Sequence, residues 1–233
     1  MPPTAAISRP RATRSLQKVH AARKPNATKA SPLLPMPTAL LDATTRADVV
    51  TIPARNVLCI DGAGAPEGEL FQKAVGALYG VAYTLKFGRK KAAGAELKIG
   101  PLEARWWAAL EGTTFVMAPR DTWRWRLRIA MPNDVTKSEV DAVIATATRK
   151  KGGKLEGSAA AKTVTLERIG AQRVGRALHL GPYSEEARTF DAIEKAMAAA
   201  GVKPAFSHIE VYLGDPRRTA PARLKTVLLR EAR

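Results

Sequence analysis

Ser207-His208-Ile209-Glu210-Val211-Tyr212-Leu213 alternates without a break. Residues two apart on a strand share a face, so Ile209, Val211 and Leu213 form one side and His208, Glu210 and Tyr212 the other. One side is apolar; the second carries an imidazole, a carboxylate and a phenol. Upstream, residues 184–200 have helical spacing, with Ser184 as the expected cap and Gly201 as the stop. Before them, residues 174–180 read as a strand ending in Gly181-Pro182. Downstream, residues 222–229 read as a further strand.

The first half of the chain has the same order. Residues 57–60 form a strand running into Asp61-Gly62, and residues 66–87 an amphipathic helix whose last turns, from Val81, also suit a short strand. Residues 97–107 and 122–131 are two more strands. A shift of 119 puts Gly62 on Gly181, Phe71 on Phe190, Ala74 on Ile193 and Leu78 on Met197. The reading is an α+β fold of two βαββ modules, about 51–131 and 164–230, whose sheets or sheet halves meet around a shared concavity. Arg89-Lys90-Lys91 with Gly94 reads as a basic loop. Residues 137–151 read as a polar helix capped by Thr136 and stopped at Gly152-Gly153.

The charge is uneven. The 233 residues hold 38 Lys+Arg and 21 Asp+Glu, a net +17, which excludes an acidic solvating protein. Residues 1–41 contribute seven basic residues, seven prolines, no acid and no aromatic, so they cannot bury enough apolar surface to offset chain entropy. Residues 1–45 are expected to be a disordered basic Pro/Ala-rich tail, serving as a nucleic-acid arm, a targeting segment or a solvated extension, with residues 46–233 as the folded domain. Weak non-specific nucleic-acid contact is assigned to the tail. Arg124, Arg126 and Arg128 alternate with Trp123, Trp125, Leu127 and Ile129, and are expected on the solvent face of a strand. No apolar run approaches the ~20 residues of a membrane span, and a soluble, cytoplasmic protein is expected.

Single Cys59, in an apolar strand, excludes an internal disulfide and reads as a small buried hydrophobe. Phosphate-binding loops, the Gly-x-Ser-x-Gly elbow and His-Glu-x-x-His are absent. His179 and His208 have no third metal ligand in view, so both are expected to be structural, with no metal and no cofactor. Glu210 is the notable residue. With Ile209 and Val211 on the core side, it faces either solvent or a cavity. In an aromatic cavity a carboxylate can bind a cation, aided by cation–π contacts of about 0.5–2 kcal/mol, or act as a general base.

Several blocks together resemble one family. They are Tyr83-Thr84-Leu85-Lys86-Phe87, Pro101-Leu102-Glu103-Ala104-Arg105-Trp106-Trp107, Trp123-Arg124-Trp125, His179-Leu180-Gly181-Pro182-Tyr183, and His208 through Thr219 with its Asp215-Pro216-Arg217-Arg218-Thr219 close. The family is the GyrI-like small-molecule-binding domain in its stand-alone form, near the cyclopropanoid cyclopropyl hydrolase branch. The likeness runs from about Thr51 to the C-terminus. Ala104-Arg105 stands where members commonly have Gly-Leu, which places the difference at the expected rim of the cleft.

The resemblance implies a central aromatic-lined cleft floored by a glutamate. It implies binding of an aromatic or cationic small molecule, with hydrolysis of cyclopropanoid genotoxins by water addition and ring opening, or binding and sequestration without chemistry. Carried over, Glu210 and Tyr212 are the catalytic candidates. Trp106, Trp107, Trp123, Tyr183, Tyr83 and Glu103 are the ligand-binding candidates, and Trp125 belongs to wall or core.

Overall fold

Two runs of strand, helix, strand, strand build the protein, and they join edge to edge in one antiparallel sheet. The structure, a computed structural model, describes residues 36–93, 96–109, 118–152, 155 and 158–233. The elements are α1 (Thr38–Leu41), β1 (Asp48–Ile52), β2 (Arg55–Ala63), α2 (Glu69–Ala93), β3 (Leu102–Ala108), β4 (Trp123–Met131), α3 (Lys137–Arg149), α4 (Ala159–Lys162), β5 (Thr165–Ile169), β6 (Gln172–Leu180), α5 (Ala187–Ala199), β7 (Pro204–Tyr212) and β8 (Lys225–Ala232). The repeat is β2-α2-β3-β4 and β6-α5-β7-β8. Leu102 opens β3 and Pro204 opens β7, while Trp123 opens β4 and Lys225 opens β8, a constant shift of 102. The shift of 119 therefore serves only the early helix residues of each half: the first strands, Arg55–Ala63 and Gln172–Leu180, are offset by 117, and the longer α2 reduces the offset to 102 afterwards.

The strand order is β1-β6-β8-β7-β3-β4-β2-β5. The halves meet where β7 pairs with β3, placing Tyr212 opposite Leu102, Glu210 opposite Ala104 and His208 opposite Trp106. At the far ends, Asp48–Ile52 pairs with Arg176 to Gln172, and Arg55 to Cys59 continues the same register on Ile169 to Thr165. Each of the two long chains bends between its strands, at Pro53-Ala54 and at Gly170-Ala171, so the hydrogen-bonded order returns on itself.

Cross-strand partners share a face, which fixes the side on which the helices lie. Ile60, Leu127, Ala104, Glu210 and Leu228 form one such row. Ile60, Leu127 and Ala104 pack in one core cluster with Phe71, Ala74, Leu78, Val81 and Leu85 of α2. Leu228 packs with Ile193 and Met197 of α5. Both helices thus cover the Glu210 side. Helix α2 lies on β2 and β4 and α5 on β6 and β8, leaving β3 and β7 between them. Gly62 is required here, since a Cβ at that position would fall 2.1 Å from the Trp125 ring.

The other side of the sheet buries Ile209, Val211, Val227 and Leu229 against Met36, Leu40 and Ala43. This corrects the boundary drawn at residue 45: residues 36–45 are part of the folded body, with α1 held by Arg176, which donates to the Ala39 carbonyl and to Asp42. The disorder, arm and targeting expectations for residues 1–35 lie outside the described residues.

Two local expectations also change. Helix α2 runs through Gly88 into Arg89-Lys90-Lys91, where a basic loop was expected. Arg89 donates to Glu139 at 2.7 Å and to Asp134 at 2.9 Å, and this anchor on the α3 end outweighs the roughly 1 kcal/mol helix cost of a glycine. Helix α5 starts at Ala187 after a single 3₁₀ turn (Tyr183–Glu185), so Glu186 and not Ser184 is its cap residue. Gly201, at φ +66°, ends it as expected. Thr136 caps α3 by accepting the Glu139 N–H.

Candidate functional site

Glu210 sits on β7 in the strip between the two helices and is 9% exposed. Both of its oxygens are engaged. His208 Nε2 donates to Oε1 at 2.9 Å and the Tyr212 hydroxyl donates to Oε2 at 2.7 Å. Trp106 Nε1 in turn donates to the Tyr212 oxygen at 3.3 Å. These contacts follow from alternation: His208, Glu210 and Tyr212 share a face on β7, and Trp106 enters that face from β3. His208 therefore has a role beyond packing, since it orients the carboxylate. Burial and the Glu210 charge hold the Tyr212 phenol well above its ordinary range, so it stays a donor.

Aromatic rings surround this carboxylate. Trp106 stacks on Phe71 at 5.4 Å and meets Trp123 edge-on at 6.0 Å. Tyr183, in the turn before α5, meets Tyr212 edge-on at 5.9 Å. Burial first, and then the charge of Glu210, pushes the Tyr183 phenol up to about 12. Phe190 of α5 lies edge-on to His208 at 4.9 Å. His179 accepts from or donates to Thr189 Oγ1 at Nδ1 and donates from Nε2 to the Pro182 carbonyl, which fixes the turn that carries Tyr183.

A second carboxylate belongs to this site and escaped the sequence reading. Glu186 is 7% exposed, and its Oε1 is buried with no hydrogen-bond partner among the described residues. Burial first, and then repulsion from Glu210, raises its carboxyl to about 9, so it is protonated near neutral pH. Glu185 beside it is exposed and paired with Arg188 at 3.1 Å. Sequence spacing does not tell which of two adjacent glutamates at a helix start turns inward; the 3₁₀ turn does.

Glu210, Tyr212, Trp106, Trp123 and Tyr183 are thus brought together, and three other candidates are not. Glu103 lies on the reverse face, because register pairs it with Val211 while Ala104 faces Glu210. It is fully buried and accepts from Arg55 at 2.6 Å. Trp107 shares that reverse face, under the Arg105 guanidinium at 5.4 Å. Tyr83 lies on α2, 44% exposed, between Tyr79 and Phe87 at 6.2 Å each. Trp125 is core, edge-on to Phe71 at 5.3 Å.

The neighbouring expectations resolve in the same way. Ala104 is fully buried opposite Glu210 on the helix-covered face, while Arg105 lies on the reverse face and donates to Glu231 at 2.7 Å. Of the β4 arginines Arg124 is exposed, as expected, whereas Arg126 is half-buried and held by Asp61 at 2.6 Å and Glu167 at 3.0 Å, and Arg128 is buried. Cys59 is buried, and desolvation pushes its thiol up to about 12, the behaviour of a packed hydrophobe. Among the described residues no group of three His, Cys, Asp or Glu is placed to hold a metal, and no helix is long and apolar enough to cross a membrane.

No family model matches the chain, and no curated protein does. Solved structures are similar to it. An uncharacterized conserved protein from Listeria innocua is 28% identical, with a TM-score of 0.73, over 82% of this chain and 94% of that one. A structure of a hydrolase from Listeria innocua is also 28% identical, with a TM-score of 0.69, over 82% of this chain and 93% of that one. A GyrI-like domain, the family that the sequence blocks resemble, fits both this α+β fold and these neighbours.

Proposed function

We propose that the cleft binds an aromatic small molecule and adds water to it, opening a strained ring of the cyclopropanoid type. The observation that carries this reading is the pair of buried carboxylates, Glu210 with a donor on each oxygen and Glu186 with an oxygen that has no partner among the described residues. Burial and the Glu210 charge favour the neutral form of Glu186. Two such groups in different protonation states supply the base and the acid of a hydration. The likeness to a Listeria hydrolase over most of both chains supports the same class.

The roles divide as follows. Trp106, Trp123 and Tyr183 stack on the planar ligand and position its ring carbon. Glu210 takes a proton from water as the water oxygen bonds to that carbon. The carbon–carbon bond of the cyclopropane breaks, and its electron pair moves through the conjugated system to the carbonyl oxygen. Glu186 gives its proton to that oxygen, leaving a phenol and a new alcohol. Tyr212 and His208 hold Glu210 in place, and both carboxyls regain their starting states through one proton exchanged with solvent.

The test is hydration of a cyclopropanoid alkylator in ¹⁸O-labelled water. One labelled oxygen in a ring-opened product, formed over many turnovers, is expected. Tryptophan quenching without product would leave a binding and sequestering protein as the reading.

A further inference from the structure

The two carboxylates differ in what they leave free. Glu210 has a donor on each oxygen, from His208 and from Tyr212. Glu186 has a buried Oε1 with no partner among the described residues. We propose that Glu186, and not Glu210, is the counter-charge for a monocationic ligand, and that such a ligand enters with release of one proton while a neutral aromatic ligand enters with none. This rests on the cleft being the ligand site, as proposed above, but not on turnover.

Glu210, Tyr183 and Tyr212 interact electrostatically with Glu186, and the titratable groups nearby in the sequence and on β6 and β7 have partners of their own. From β7 come Glu210, with His208 and Tyr212 bonded to it. From the turn before α5 comes the Tyr183 phenol, which remains protonated. From β6, His179 has Thr189 and Pro182 as partners. On its own helix, Arg188 is directed to Glu185 and to the Leu180 carbonyl. The charge acting on Glu186 is that of Glu210, which favours its neutral form, as does burial.

A second negative charge beside Glu210 is therefore costly until a cation arrives. A cation within the aromatic enclosure reverses the sign of that local field, gains cation–π contacts, and lowers the carboxyl pKa. The proton then leaves as the ligand enters. A neutral ligand with an acceptor atom does the opposite: it uses the Glu186 O–H as a donor and keeps the proton. The site thus discriminates ligands by pH. Linkage gives the signs: the free-state carboxyl titrates near pH 9 and the cation-bound one lower. Cation affinity rises with pH up to about 9 and is flat beyond. Affinity for a neutral acceptor is flat below that pH and falls above it.

The experiment is titration calorimetry of the full chain with N-methylquinolinium and with quinoline, near neutral pH, in phosphate and in Tris. The two buffers differ in ionisation enthalpy, so the difference in heat counts protons. About one proton released per cation bound and none for quinoline are expected, with cation affinity rising roughly tenfold per pH unit above neutrality. In Glu186→Gln, cation binding should release no proton and lose its pH dependence. Cation binding by the wild type without proton release overturns the proposal, and so does release that persists in Glu186→Gln. If neither probe binds, the cleft reading itself fails and this inference with it.

Discussion

Glu186 and Glu210 flank α5, one just before the helix and the other on the strand after it, and both are buried, with the charge of Glu210 acting on Glu186. Glu210 is bonded on both oxygens and Glu186 is left with a bare one. That difference separates a positioned acceptor from a stored proton.

The stored proton has a signature in stability. The Glu186 carboxyl titrates near pH 9 when folded and near the ordinary carboxylate value when unfolded. Between those values the native state binds one proton more than the unfolded state, so stability falls as pH rises across that window. Glu186→Gln removes this slope and should raise Tm increasingly from pH 5 toward pH 9. Thermal melts of both proteins across that range check it; parallel Tm profiles would contradict it.

Glu103 should behave in the opposite way. It is fully buried and paired with Arg55 on the reverse face. Removing one partner of a buried ion pair typically costs about 3–5 kcal/mol, because the other charge is left uncompensated. Glu103→Ala should therefore lower the denaturation midpoint sharply, while ligand affinity of the folded fraction stays as in wild type. Urea melts and fluorescence titration read the two effects separately.

Leu40 tests the revised boundary of the folded body. It is fully buried against the reverse face of the sheet. Leu40→Ala should cost about 2–5 kcal/mol, as core truncations do. A substitution in a tail without contacts would cost almost nothing, so urea midpoints distinguish the two.

Much of this was legible in the residues, and the gaps have physical causes. Alternation along residues 207–213 located Glu210 with its two neighbours, and helical spacing located α3 and both long helices. Period two cannot say which side of β3 faces the cleft, because Glu103 and Ala104 are one residue apart and the pairing of β3 with β7 decides between them. Strands β1 and β5 are five residues each and gain their identity from a register continued across a bend, which no local pattern encodes. The burial of Met36 and Leu40 was hidden by prolines that read as tail. Glu186 was hidden because Glu185 stands beside it and only the turn geometry separates them.

The proposed function turns on Glu210 as the base of a hydration. Its most direct test follows a cyclopropanoid alkylator by chromatography with wild type and with Glu210→Gln side by side. Wild type should form a water-added, ring-opened product. General-base contributions are typically about 10²–10⁴-fold, so turnover in the variant should be lower by about that factor, with tryptophan quenching retained in both. Equal turnover by the two proteins would contradict it.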